Sequence, residues 1–191
     1  MGCFNPTHLI SKLKGVDIHK SGTGNPGASN ATIVFGKTVG IIVLLFDIFK
    51  SFFAVVICSL LFKKTLVSGI LGGCFAVIGH CFPFHHKFRG GKGFASLVGM
   101  MLAVNPIRFF VIAILCCILT IITNHICVLP ISASAAFAFS AMYQFDSLLA
   151  LLIGFLCCAV IIIRHTSNIE AAFSGSDEKV RDFLKRKFIR N

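Results

Sequence analysis

VGIIVLLFDIFKSFFAVVICSLLF, running from Val39 to Phe62, is apolar throughout apart from a few small polar residues, and Asp47 and Lys50 are its only charged residues. A bilayer core about 30 Å thick is crossed by roughly 20 predominantly apolar helical residues, so this run by itself predicts a transmembrane helix. Outward from it the same pattern recurs at about 66–84, 94–106, 107–124, 126–143 and 146–163. The chain is therefore expected to be all-α, a polytopic integral membrane bundle of about six spans. The 94–106 run is the shortest and ends at Asn105-Pro106, which suits a tilted, re-entrant or half-crossing helix. Composition agrees, with 56% hydrophobic and 13% charged residues and a mean hydropathy of +0.89, against about 25% charged residues in soluble domains.

Cations orient the bundle. If all six runs cross and the C-terminus is cytoplasmic, the inside holds Lys12, Lys14, Lys20, Lys37, Lys87, Arg89, Lys92, Arg164, Lys179, Arg181, Lys185, Arg186, Lys187 and Arg190. Only Lys63, Lys64 and Arg108 fall outside, and Lys50 lies within a span. This is the positive-inside bias. The net charge of +11 then faces anionic lipid, and no nucleic acid is expected as a partner. The 9 cysteines show no zinc-like CxxC spacing and fall mostly in or beside apolar runs, where they serve as small hydrophobes. No metal or cofactor is expected. Asp47 and Lys50, one helical turn apart, should face the protein interior as a pair, because an unpaired charge in a bilayer is costly.

Three polar stretches interrupt the apolar runs, and the parity of the crossings puts all three on the cytoplasmic face. The first is Ser21-Gly22-Thr23-Gly24-Asn25-Pro26-Gly27-Ala28-Ser29-Asn30. Its G-x-G-x-x-G spacing lacks the preceding strand of a dinucleotide fold, and Asp47, twenty residues on, sits in a membrane run. What remains is a glycine-lined backbone able to approach an anion, with Thr23, Asn25, Ser29 and Asn30 as neutral donors. A turn leading into a helix capped by Ser29 or Asn30 explains the same residues equally well. The second stretch, Lys87-Phe88-Arg89-Gly90-Gly91-Lys92-Gly93, is not a Walker A loop. Its three glycines around one lysine still suit a phosphate better than a purely orienting basic turn would require. The third, Arg164-His165-Thr166-Ser167-Asn168, ends the last span, with His165 and Asn168 on one face if the helix continues. A helix end answered by Arg164 and His165 is the plainer alternative.

Together these elements resemble a known family, the bacterial membrane-integral, acyl-phosphate-dependent glycerol-3-phosphate acyltransferases of the PlsY type. The resemblance is carried in order by Lys12-Leu13-Lys14-Gly15-Val16-Asp17-Ile18, Gly24 to Asn30, Gly40-Ile41 with Asp47 and Lys50, Gly79-His80, Lys87 to Gly93, and Arg164-His165 with Ser167-Asn168. It implies transfer of a fatty acyl group from acyl phosphate to the 1-position of glycerol-3-phosphate, giving lysophosphatidic acid and phosphate in phospholipid synthesis. It also implies a monomer in the bacterial plasma membrane with its site facing the cytoplasm. By the same resemblance Lys92, His165 and Asn168 are the catalytic candidates. Thr23, Gly24, Asn25, Gly27, Ser29 and Asn30 would hold acyl phosphate. Lys37, Lys50, His80, Lys87, Arg89, Gly90, Gly91, Gly93 and Ser167 complete the expected substrate-binding set.

The chain departs from the family pattern in two places. Only Leu9-Ile10 precedes Lys12 where the family has a full apolar helix, so a seven-span fold with its first helix shortened or missing is expected. Ile33 stands where the family carries an arginine in the first loop, and Thr23 replaces a serine. Residues 1–170 are expected to form one membrane-embedded acyltransferase domain, and 171–191 a basic cytoplasmic tail lying on the inner leaflet. A non-catalytic relative that binds phosphorylated lipid precursors and a small membrane transporter are the alternative readings. A transporter would more often show an internal repeat with helices broken at corresponding positions, and none is visible in the two halves.

Overall fold

A computed structural model describes residues 1–62 and 66–182. Lys63 and Lys64, and the tail residues Phe183, Leu184, Lys185, Arg186, Lys187, Phe188, Ile189 and Arg190, lie outside the described residues. Those described form nine α-helices with no strand among them: α1 (Pro6–Leu13), α2 (Ala28–Phe35), α3 (Lys37–Leu61), α4 (Leu66–Cys81), α5 (Phe94–Val104), α6 (Pro106–Thr123), α7 (Val128–Phe145), α8 (Leu148–Arg164) and α9 (Thr166–Ser174). Four are long and apolar enough to cross a membrane: Lys37–Leu61, Val67–His86, Pro106–Thr123 and Val128–Phe145. A fifth span is possible if α8 and α9, bent by 58° at their junction, are taken as one. The chain is an all-helical integral membrane protein. The 94–106 run is realised as α5, 11 residues long, which at 1.5 Å per residue covers only about 16 Å of a 30 Å core. Its end is set by Asn105 in extended conformation and by Pro106, which opens the next helix.

The helices fall into two compact units, Met1–Pro106 and Ile107–Asn191. In the first, α3 is the central element, with α2, α4 and α5 packed on it. Gly36, at φ +95°, lets the chain reverse between α2 and α3. Close approach depends on glycines. A Cβ at Gly99 would overlap the Ile48 carbonyl of α3, and Cβ atoms at Gly69, Gly72 and Gly73 of α4 would overlap Ser59, Cys58 and Met100. Small residues at such contacts are how helices pack in lipid, where burial of apolar surface no longer drives association. The outward residues, among them Ile41, Leu45, Phe49 and Phe53 on α3, are exposed as lipid contact requires.

In the second unit α7 packs on α8, with Gly154 against the Ala138 backbone. At one end Arg108 donates to the Ser140 carbonyl at 3.0 Å and lies 5.2 Å from the Tyr143 ring centroid. At the other end the α6–α7 turn holds the residues that follow α9. His125 Nδ1 lies 2.8 Å from an Asp177 carboxylate oxygen, Lys179 donates to Asp177 at 2.7 Å, and the Val180 N–H donates to the Asn124 carbonyl. The Lys179 hydrogen bond holds the Asp177 carboxyl below the usual carboxylate range. The turn near 125 and the start of the tail therefore share one end of this unit, as the crossing parity requires. All nine cysteines are free, and most line the helix contacts; Cys117, on α6, is exposed.

Candidate active site

The first polar stretch is a closed loop whose shape comes from Asn30. This buried side chain accepts from the Thr23 N–H at 2.7 Å and donates to the Ser21 and Ile18 carbonyls at 3.0 and 3.3 Å. Gly22 and Gly24, at φ +58° and +72°, take conformations that side chains rarely adopt. A second clamp comes from Asn5, which caps α1 and donates to the Pro26 carbonyl at 2.8 Å. Asn30 thus shapes the loop, while Thr23 and Ser29 are exposed at its surface and Gly24 and Asn25 are half-exposed. The residue capping α2 is Gly27, not the expected Ser29 or Asn30, because the helix starts two residues before a Ser29 cap would place it and Asn30 has turned back into the loop. The first-turn N–H groups of a helix have no intrahelical carbonyl partner and suit an anion. Lys37 is exposed at the start of α3, and Ile33 is 64% exposed on α2.

The second stretch is folded down onto the end of α4. The Gly90 and Gly91 N–H groups donate to the Cys81 and His80 carbonyls at 3.1 and 3.2 Å, and both glycines are buried. Lys87 and Phe88 are left-handed, at φ 53° and 59°, a conformation that costs non-glycine residues and is found at functional turns. Gly93, at φ +84°, starts α5. Lys92 is half-exposed, and Lys87 and Arg89 are exposed.

Beneath this turn lies a buried group of charges. Lys50 donates to Asp47 Oδ1 at 2.6 Å, to the Phe4 carbonyl at 3.1 Å and towards His80 Nδ1 at 2.7 Å. Those three contacts use the three donors of an ammonium. Asp47, Lys50 and His80 are 2%, 3% and 3% exposed, so the pair faces the interior as expected. The same His80 Nδ1 also lies 3.2 Å from Asp47 Oδ1. Lys50 and His80, expected to bind substrate, are engaged with one another and with Asp47.

Four histidines join the two stretches. The His8 and His86 ring centroids are 3.7 Å apart and those of His85 and His86 4.4 Å, while His8 Nε2 lies 3.3 Å from His19 Nε2. Burial, then the neighbouring His86, His19, His85 and His80 imidazoles, push the His8 pKa down to about 4. These contacts put the segments flanking the 21–30 and 87–93 stretches at one end of the first unit. No sequence motif announces the cluster, whose members stand up to 78 residues apart.

In the second unit His165 sits at the junction of α8 and α9. It is 6% exposed, and its Nδ1 lies 2.8 Å from the Ile161 carbonyl. That bond assigns the proton to Nδ1 and the basic lone pair to Nε2. The continuous helix that would set His165 and Asn168 on one face is broken here. Instead, the His165 carbonyl accepts from the Asn168 and Ile169 N–H groups at 2.9 Å each, so Asn168 follows His165 across the first turn of α9. Ser167 is exposed and Asn168 half-exposed. No group of three or more His, Cys, Asp or Glu among the described residues is arranged to hold a metal ion.

An all-helical protein with 4 helices, or up to 5 spans, long and apolar enough to cross a membrane belongs to the class of polytopic integral membrane proteins. The particular family is set by similarity: residues 1–175 match the model described as glycerol-3-phosphate acyltransferase, and the chain belongs to that family and is an acyltransferase. It is 34% identical over 189 residues to the glycerol-3-phosphate acyltransferase of Staphylococcus aureus (strain bovine RF122 / ET3-1), covering 95% of this chain and 93% of that one. The strain JH9 protein matches with the same figures. Among solved structures, the glycerol 3-phosphate form of the integral membrane acyltransferase PlsY (YgiH) aligns with a TM-score of 0.84 and 28% identity over 98% of this chain and 93% of that chain. Its lysophosphatidic acid form aligns with a TM-score of 0.79 and 30% identity over 93% and 89%.

Proposed function

We infer that this chain transfers a fatty acyl group from acyl phosphate to the 1-position of glycerol-3-phosphate, giving lysophosphatidic acid and inorganic phosphate. The observation that carries the reading is the family match across residues 1–175. The forms in which the similar PlsY was solved, with glycerol 3-phosphate and with lysophosphatidic acid, differ by one acyl group and support it. In the proposed reaction the substrate hydroxyl attacks the acyl carbonyl, the carbonyl–phosphate C–O bond breaks, and phosphate leaves with the electron pair. Phosphate is a good leaving group, so positioning and charge neutralisation supply most of the acceleration.

The loop Thr23-Gly24-Asn25 with Gly27 and Ser29, shaped by Asn30, holds the acyl phosphate, helped by Lys37. Lys92 neutralises phosphate charge, and the Gly90-Gly91-Gly93 backbone sets where it stands. His165 accepts the hydroxyl proton, Asn168 orients glycerol-3-phosphate with Ser167 beside it, and Lys87 and Arg89 flank Lys92. Residues 1–170 act as one acyltransferase domain, with a basic tail over 171–191. The protein works as a monomer in the bacterial plasma membrane with its site on the cytoplasmic side. The test is transfer by purified Lys92→Ala, His165→Ala and the double variant. Each single variant should lose most turnover, and wild-type transfer in the double variant would remove both residues from the reaction.

A further inference from the structure

The Lys92 turn is anchored at both ends on the main chain of the residues that carry the buried group. On its entry side Gly91 donates to the His80 carbonyl, Gly90 donates to Cys81, and the His80 ring lies so close under Gly91 that a Cβ there would overlap its Nε2. On its exit side Ser96, in the first turn of α5, donates to the Asp47 carbonyl at 3.3 Å. Lys50 joins the two anchors, bonded to Asp47 Oδ1 at 2.6 Å and to His80 Nδ1 at 2.7 Å, and extends to the N-terminal segment through the Phe4 carbonyl. An ion pair with a histidine beside it, all 2–3% exposed inside membrane-spanning helices, is expensive to keep. Its site directly below the only glycine-flanked lysine points to what it does.

We propose that Asp47, Lys50 and His80 form an intramembrane brace that positions Lys92, with His80 acting through Gly91 and Asp47 through Ser96. None of the three is a catalytic residue. The inference rests on the acyl-transfer reading above and assigns these side chains the role of placing the ammonium rather than touching substrate. Misplacing a charge-neutralising group by about 1 Å costs on the order of 100-fold in rate, so the brace should act on kcat more than on KM.

Gly91 and Gly90 offer a paired test. The three atoms nearest the Cβ of Gly91→Ala all belong to the His80 ring, whereas those nearest the Cβ of Gly90→Ala are the His80 and Cys81 carbonyl oxygens and a Pro83 carbon. Steady-state kinetics on purified full-length protein should show kcat down about 10- to 100-fold in His80→Ala with KM for glycerol-3-phosphate changed by less than about threefold. Gly91→Ala should cost as much or more, but the His80→Ala/Gly91→Ala double variant should match His80→Ala alone, because removing the ring makes room for the methyl. Gly90→Ala should be as impaired in the His80→Ala background as in the wild type. His80→Asn, which keeps an acceptor near Nδ1 for Lys50, should recover most of kcat. Hydrogen exchange over residues 87–94, which needs no substrate, should be faster in His80→Ala than in wild type. Multiplicative losses in the His80→Ala/Gly91→Ala variant, or unchanged exchange in His80→Ala, would overturn the brace. If His80→Ala does not fold, the His80→Asn and Gly91→Ala variants decide by the same two readouts. A wild-type protein without acyl-transfer activity would count against the proposed reaction, and exchange alone would then decide whether the brace exists.

Discussion

Lys50→Met should destabilise the protein far more than the loss of any surface lysine, and most of that loss should vanish when Asp47 is neutralised as well. Lys50 meets Asp47 at 2.6 Å with both side chains 2% exposed, so the single variant leaves a carboxylate buried without its cation. Breaking a buried pair by removing one partner costs about 3–5 kcal/mol. In Asp47→Asn/Lys50→Met no charge is stranded. The remaining losses are the donors to the Phe4 carbonyl and His80 Nδ1, about 1–3 kcal/mol together at roughly 0.5–1.5 kcal/mol per hydrogen bond. In a double-mutant cycle the double variant's loss should therefore fall short of the sum of the two single losses by at least about 2 kcal/mol. The buried free thiols of Cys74 and Cys81, 1% and 0% exposed, provide the assay, since a thiol-reactive dye reaches them only on unfolding. Denaturant titration of the four proteins in one detergent would supply the energies. Additive effects, or a Lys50→Met variant as stable as Lys87→Met, would refute the buried-pair reasoning.

Lys92→Ala should lower kcat/KM by about 10- to 150-fold, the equivalent of about 1.5–3 kcal/mol for a hydrogen bond to a charged group, with the unfolding midpoint unchanged because the side chain is half-exposed. His8 should make stability depend on pH. Its pKa in the folded protein is about 4, against 6.5 ordinarily, so the unfolded chain binds more protons between those values. The stabilisation is complete above pH about 6.5 and is lost as pH falls towards 4, and His8→Gln should flatten the midpoint-versus-pH curve across that window. Ile33→Arg, at an exposed position of α2, should lower KM for acyl phosphate about tenfold, corresponding to one added charged contact of roughly 1.4 kcal/mol; an unchanged KM would show that α2 does not border the donor.

Run length made most of the bundle legible, because a 30 Å apolar core demands long apolar helices wherever a chain crosses it. α3, α4, α6, α7 and α8 follow the apolar runs within a few residues. The weakness of the 94–106 run was legible too, since Asn105-Pro106 ends α5 after 11 residues. For α1 the expectation was a first helix shortened or missing, and its own signal is present: Asn5 is a capping side chain and Pro6 stands at the first helical position, where its missing N–H costs nothing. The bend at His165 carried no such signal and separates what a straight helix would have aligned. At the candidate site the Asp47–Lys50 pair was visible as one helical turn. His80 was a site candidate by resemblance, but its closure on that pair and the His8, His19, His85 and His86 cluster were not visible, because nothing local says which distant imidazoles a fold will stack. Asn30 was visible as a polar donor but not as the residue whose bonds to Ile18, Ser21 and Thr23 close the loop.

The most direct test of the proposed reaction is product stoichiometry for the purified wild-type protein given acyl phosphate and labelled glycerol-3-phosphate, with lysophosphatidic acid and inorganic phosphate measured together over time. One phosphate released for each lysophosphatidic acid formed, with no acyl-CoA present, is the predicted result. Phosphate release without acyl transfer, or transfer that appears only when acyl-CoA replaces acyl phosphate, would contradict it.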